Sequence, residues 1–135
     1  MDFEISVYFL LTGKELDPQT ITDKLGIAPT KTFRAGELIQ PKASPQWRQN
    51  GWLLESKLHK SAELEEHIEF ILEKLQPGWN ILKELGQIYE AAFDCVVYVY
   101  EYVPALCWEK NIVKKVAELN ARIDVDLIYS TVGSE

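Results

Sequence analysis

The sequence predicts an α+β fold, a two-layer sandwich in which one five-stranded sheet carries its helices mainly on one face. Three observations predict it. Five segments show the period-two alternation of half-buried strands, three amphipathic segments show helical spacing, and the two kinds alternate as β-α-β-β-α-(α)-β-α-β. The first six elements read as a ferredoxin-like unit, to which the last helix and strand are appended. At 135 residues and 47% apolar composition, the chain suits a single domain spanning 1–135 with a core of its own.

The longest strand-like run is 93–102, rich in aromatic and β-branched residues and free of Gly and Pro. Phe93, Cys95, Val97 and Val99 share one face; Asp94, Val96, Tyr98, Tyr100 and Tyr102 share the other. Both faces are largely apolar, which suits an inner strand. A helix over about 105–119 and a strand over 123–129 follow, and Asn120 stands where a left-handed residue often closes a helix.

From the N-terminus, Phe3, Ile5, Val7, Phe9 and Leu11 alternate with Glu4, Ser6, Tyr8 and Leu10, a strand with one buried face. Asp17-Pro18 begins a short helix, because Asp accepts from free N–H groups and Pro suits the first helical position. Gly26 ends it. Residues 30–35 read as a second strand, 36–50 as a loop with Pro41 and Pro45, and Asn50-Gly51 as a hairpin turn. Residues 52–57 read as a third strand. Ser61 is the expected cap of a helix with Leu64, Ile68, Ile71, Leu72 and Leu75 inward. Pro77-Gly78 breaks that helix, and a further helical piece from Trp79 to Leu85 closes at Gly86.

Composition narrows the function classes. A formal charge of −7 argues against nucleic-acid binding. The N-terminus carries acids where a signal peptide would be basic, and no apolar run is long enough to span a membrane, so a soluble cytoplasmic protein is expected. Cys95 and Cys107 are expected to be reduced thiols. The charge is uneven. Residues 24–60 hold seven basic side chains against two acidic ones, a net of +5, which leaves −12 for the rest.

Catalytic constellations are weak. No glycine-rich phosphate loop is present, and His59 and His67 lack partners at zinc spacing. No catalytic residue, metal site or cofactor is therefore assigned. His67, among glutamates, is expected on a solvated helix face. Asp124 and Asp126 are read as the solvated face of a half-buried strand. The stronger grouping is Arg34, Trp47, Arg48 and Trp52 beside Gly36, because Trp and Arg combine contact area with directional donors and this segment carries recognition-prone loop. Against it stands the reading in which Trp52 packs into its strand's core and Trp47 covers the sheet.

Leu25-Gly26-Ile27-Ala28-Pro29-Thr30, then Gly36, then Trp52-x-Leu54-x-Ser56, and finally Ile123-Asp124-Val125-Asp126-Leu127-Ile128-Tyr129 resemble the bacterial domain of unknown function four-two-seven-nine over nearly the whole chain. The resemblance implies a small α+β fold and a bacterial source, transfers no catalytic residues, and loosely implies an immunity-type protein. The expected function is a non-enzymatic protein-binding module of immunity or antitoxin type, with an acidic protein partner contacting the segment 34–52. The alternative is a small-molecule or anion-binding sensor domain using Arg34, Trp47 and Arg48.

Overall fold

A computed structural model describes residues 2–37 and 47–129. Five strands form one sheet in the order β2-β3-β1-β4-β5: β1 (Phe3–Gly13), β2 (Lys31–Phe33), β3 (Asn50–Glu55), β4 (Glu90–Val99) and β5 (Ala121–Tyr129). β1 runs antiparallel to β3 and β4, β2 antiparallel to β3, and β5 parallel to β4. Four α-helices connect them: α1 (Pro18–Leu25), α2 (Leu64–Leu75), α3 (Trp79–Ile88) and α4 (Lys110–Glu118). The strand expected over 93–102 is β4, which begins earlier and ends at Val99, and it lies inside the sheet between β1 and β5.

Alternation along β1 sets the layers. Ile5, Val7, Phe9 and Leu11 are fully buried and pack with Trp52, Leu54, Phe93, Cys95 and Val97 against the helices. The opposite parity, including Tyr8, Leu10, Leu53, Asp94 and Val96, is half-buried on the other face. The helices contribute Ile21 and Leu25 from α1, Ile68, Ile71 and Leu75 from α2, Leu82 from α3, and Ile112 and Val116 from α4. Burying large aliphatic side chains at about 1.5–3 kcal/mol each is the main force holding the layers together. Among the described residues, no helix is long and apolar enough to cross a membrane.

Several helix ends follow from local chemistry. Asp17 accepts from the Gln19 N–H at the start of α1, and Gly26 closes it with φ 69°. α2 begins at Glu63 rather than Ser61. There the Glu63 N–H donates to the Glu66 carboxylate at 3.0 Å, while Ser61 Oγ bonds His59 Nδ1. Pro77 and Gly78 do not separate two helices by a loop, since a single 3₁₀ turn (Gln76–Gly78) joins α2 to α3. α3 continues through Gly86, which is buried where a side chain would collide with the Leu119 carbonyl. α4 starts at Lys110, later than the expected 105. Asn120 adopts φ 55° and donates to the Gly86 carbonyl, fixing the turn into β5.

Candidate functional site

The site is built at the sheet edge formed by β2 and β3. Register pairs Lys31 with Leu53, Thr32 with Trp52 and Phe33 with Gly51. Lys31 and Phe33 therefore share the face away from the helices, while Thr32 and Trp52 face them. Thr30 extends the pairing: its N–H donates to the Leu53 carbonyl at 2.8 Å, and its hydroxyl accepts from the Glu55 N–H at 2.9 Å. Pro29, which has no N–H, ends the ladder there.

Gly51 decides the packing over this edge. A Cβ on Gly51 would sit inside the Phe33 ring. Its absence lets Phe33 lie flat across β3, only 3% exposed although no helix covers it. Trp47 supplies the cover, stacked on Phe33 with centroids 3.7 Å apart and planes 15° from parallel. Lys31 Nζ lies 5.7 Å from the Trp47 ring centre, within cation–π range. Backbone bonds between Gly36 and Trp47, and between Trp47 and Glu37, hold the two limbs of this hairpin together.

Two polar anchors join the hairpin to the body. Arg34 bonds Asp17 Oδ1 at 3.1 Å, so the cap of α1 also seats this guanidinium. The Thr20 hydroxyl, then Arg34, holds the Asp17 carboxyl below its ordinary range. Asn50 accepts from the Ala35 N–H at 2.8 Å through Oδ1 and donates through Nδ2 to the Lys14 and Leu16 carbonyls. Asn50-Gly51 is thus not a turn but the start of β3. Asn supplies the tie and Gly the space.

The expected contact residues divide. Arg34 and Arg48 are exposed, and Trp47 is half-buried beside them. Trp52 is fully buried, and its Nε1 donates to Thr22 Oγ1 at 3.1 Å. It belongs to the core and cannot touch a partner. Lys42 and the rest of 38–46 lie outside the described residues. Sequence reasoning missed Lys31, Phe33 and Asn50 as parts of this site. The spacing of Phe33 to Gly51 carries no signal until the β2–β3 register is known.

Elsewhere, Asp94 lies directly across from Asp124 on β5, half-buried on the face without helices. Burial, then the neighbouring Asp124, pushes the Asp94 carboxyl above its usual range. Arg122 bonds Asp124 at 3.0 Å and lies 3.8 Å from Glu90. His67 is not on a solvated face. It is 1% exposed, with Nδ1 2.7 Å from Ser56 Oγ. Among the described residues, no group of three or more His, Cys, Asp or Glu side chains is placed to hold a metal ion.

The model of a family described as Domain of unknown function (DUF4279) matches residues 3–130, and the chain belongs to that family. No curated protein and no solved structure matches the chain. The signature residues Trp52, Leu54 and Ser56 all face the helix layer and are buried.

Proposed function

We propose that this family member is a non-enzymatic protein-binding module of immunity or antitoxin type, and that its β2–β3 edge receives an acidic partner. The observation that supports the reading is the Phe33–Trp47 stack over Gly51, which sets Lys31 against the Trp47 ring within a basic segment of a chain of net charge −7. A preorganised aromatic platform binds at lower entropic cost than a free loop, and exposed cations raise the association rate with an acidic partner. The anion-sensor alternative uses the same cations, but Arg34 is already paired with Asp17, which weakens it.

The test is capture from lysate of the source cells on immobilised wild-type protein and on a Lys31→Glu/Arg48→Glu variant, quantified by mass spectrometry at two salt concentrations. Neither substitution breaks the Asp17 pair or the ring stack. An acidic protein retained by the wild type, weakened on the order of tenfold in the variant and released by salt supports the reading. Equal retention by both proteins moves the contact elsewhere and overturns it.

A further inference from the structure

β5 ends the sheet. Among the described residues its outer edge has no strand beside it, although it is nine residues long. An edge of this length presents a row of unpaired backbone groups. Exposed apolar side chains gather there rather than scatter. Of the eight large hydrophobic residues exposed among the described residues, Leu127, Ile128 and Tyr129 lie on β5. Tyr98 faces Ile128 from β4, and Tyr102 and Val103 follow β4. Such a patch beside an open edge marks an interaction surface.

We propose that β5 pairs antiparallel with β5 of a second copy of this chain, joining two sheets across a two-fold axis. The axis stands normal to the sheet and keeps the two open faces on one side, so paired residues must have equal parity. Charge and the length of strand paired then select the register. With Asp124 opposite its own copy, Arg122 faces Asp126 twice on the open face. On the helix side Ala121 faces Leu127 and Ile123 faces Val125, each twice. Centring on Val125 instead sets Asp124 against Asp126 twice, and like charges directly opposite destabilise a sheet. Centring on Asp126 carries Arg122 past Tyr129 and loses its partner. In the favoured register the two Asp124 carboxylates at the axis are each already bonded by their own Arg122 at 3.0 Å. Centring on Ile123 also sets Arg122 against Asp124 twice, but it pairs five strand residues rather than seven and leaves Asp126 and Leu127 beyond the partner strand. The Asp124-centred register is the longest that gives Arg122 an acidic partner. It covers Leu127, while Ile128 and Tyr129 extend past the partner's Ala121, and this self-complementarity points to another copy as the occupant.

Light scattering after gel filtration across a wide concentration range tests this, with Arg122→Asp and Asp126→Arg variants whose folding is verified by circular dichroism. The wild type is expected to be dimeric. Each variant alone meets like charges at both symmetric positions, so its dimer dissociation constant should rise on the order of tenfold. Mixing the two variants restores opposite charges at both positions, and a mixed dimer of near wild-type affinity should form. Simple damage to the fold cannot produce that recovery. A wild type that stays monomeric at every concentration overturns the proposal. So does a dimer indifferent to both substitutions, or two weakened variants that fail to recover on mixing. Any of these would leave the strand edge to a different protein or to solvent.

Discussion

The buried Ser56–His67 pair makes a sharp test of how this core is held. Ser56 closes β3, and its hydroxyl sits 2.7 Å from His67 Nδ1 while also accepting from the Leu58 N–H at 3.3 Å. His67 Nε2 is buried with no hydrogen-bond partner. Ser56→Ala therefore leaves both ring nitrogens unpaired inside the protein. Leaving one buried polar group unsatisfied costs about 1–3 kcal/mol. At roughly 4 °C per kcal/mol for a chain of this length, Tm should fall by about 4–12 °C. Replacing both partners with apolar groups of similar shape removes the unmet demand, so Ser56→Ala/His67→Phe should recover most of the loss. Urea denaturation and thermal melts of wild type, both single variants and the double variant form the cycle that measures this. A Ser56→Ala protein within about 0.5 kcal/mol of wild type would refute the reasoning, since surface changes are of that size. A double variant no better than the sum of the singles would refute it equally.

The same pair predicts a pH dependence. Burial lowers the proton affinity of His67 below the ordinary histidine range, and the nearby Glu66 only partly opposes this. Below about pH 6.5 the unfolded chain takes up a proton there that the folded chain does not. The unfolded state then binds more protons, so stability falls as pH drops, by up to about 1.4 kcal/mol per pH unit, until folded His67 itself protonates. Ser56→Ala/His67→Phe lacks this contribution. The difference in stability between the two proteins should shift in favour of the double variant from pH 7.5 to pH 5.5. Asp94 is present in both and cancels. Parallel curves would show that His67 titrates alike in the folded and unfolded chains.

Three further outcomes follow from the packing. Asp94→Asn should stabilise the protein at pH 7 by about 0.2–1 kcal/mol, because it relieves a half-buried carboxylate facing Asp124. Its advantage should shrink on acidification, as the raised carboxyl of the wild type takes up its proton before the unfolded one does. Trp52→Ala should cost about 3–5 kcal/mol and reduce partner capture only in proportion to unfolding, since Trp52 lies wholly in the core. Gly51→Ala should displace Phe33, cost about 1–3 kcal/mol, and change the fluorescence of Trp47. Unchanged melting and emission would show that the Phe33–Trp47 stack does not depend on a bare glycine.

Much of this architecture is legible where local chemistry and tertiary demand agree. β1 alternates cleanly, and α1 carries its own start and stop at Asp17-Pro18 and Gly26. Elsewhere tertiary contacts overrule local signals. Asn50-Gly51 reads as a turn because both residues favour one, yet Gly51 is needed beneath Phe33 and Asn50 ties three backbone groups. Gly86 reads as a helix stop, yet its cause is the Leu119 carbonyl pressed against it. His67 was legible by position if not by neighbours. It lies three residues after Leu64 and four before Ile71, on the apolar stripe of α2, and the flanking glutamates conceal that. The positive balance of the segment that holds Arg34, Trp47 and Arg48 could be read from charge. Lys31 and Phe33 could not, because their place depends on register, and register depends on the whole sheet.

Strand order also sets the relation between the two surfaces. The basic hairpin borders β2 at one end of the sheet, and β5 lies at the other, four strand spacings or roughly 19 Å away. A partner on the hairpin therefore need not displace a second copy from β5. Pairing through β5 would make a sheet of ten strands, with the two basic edges at its far ends about 40 Å apart. A partner that is itself dimeric at a matching span would gain avidity from such an arrangement without any new contact. The Arg122→Asp variant should then lose affinity for a dimeric partner while keeping its affinity for a monomeric one. Surface plasmon resonance with the partner immobilised at low and high density separates these cases. Equal loss at both densities would show that β5 itself touches the partner, and the two edges would not be independent.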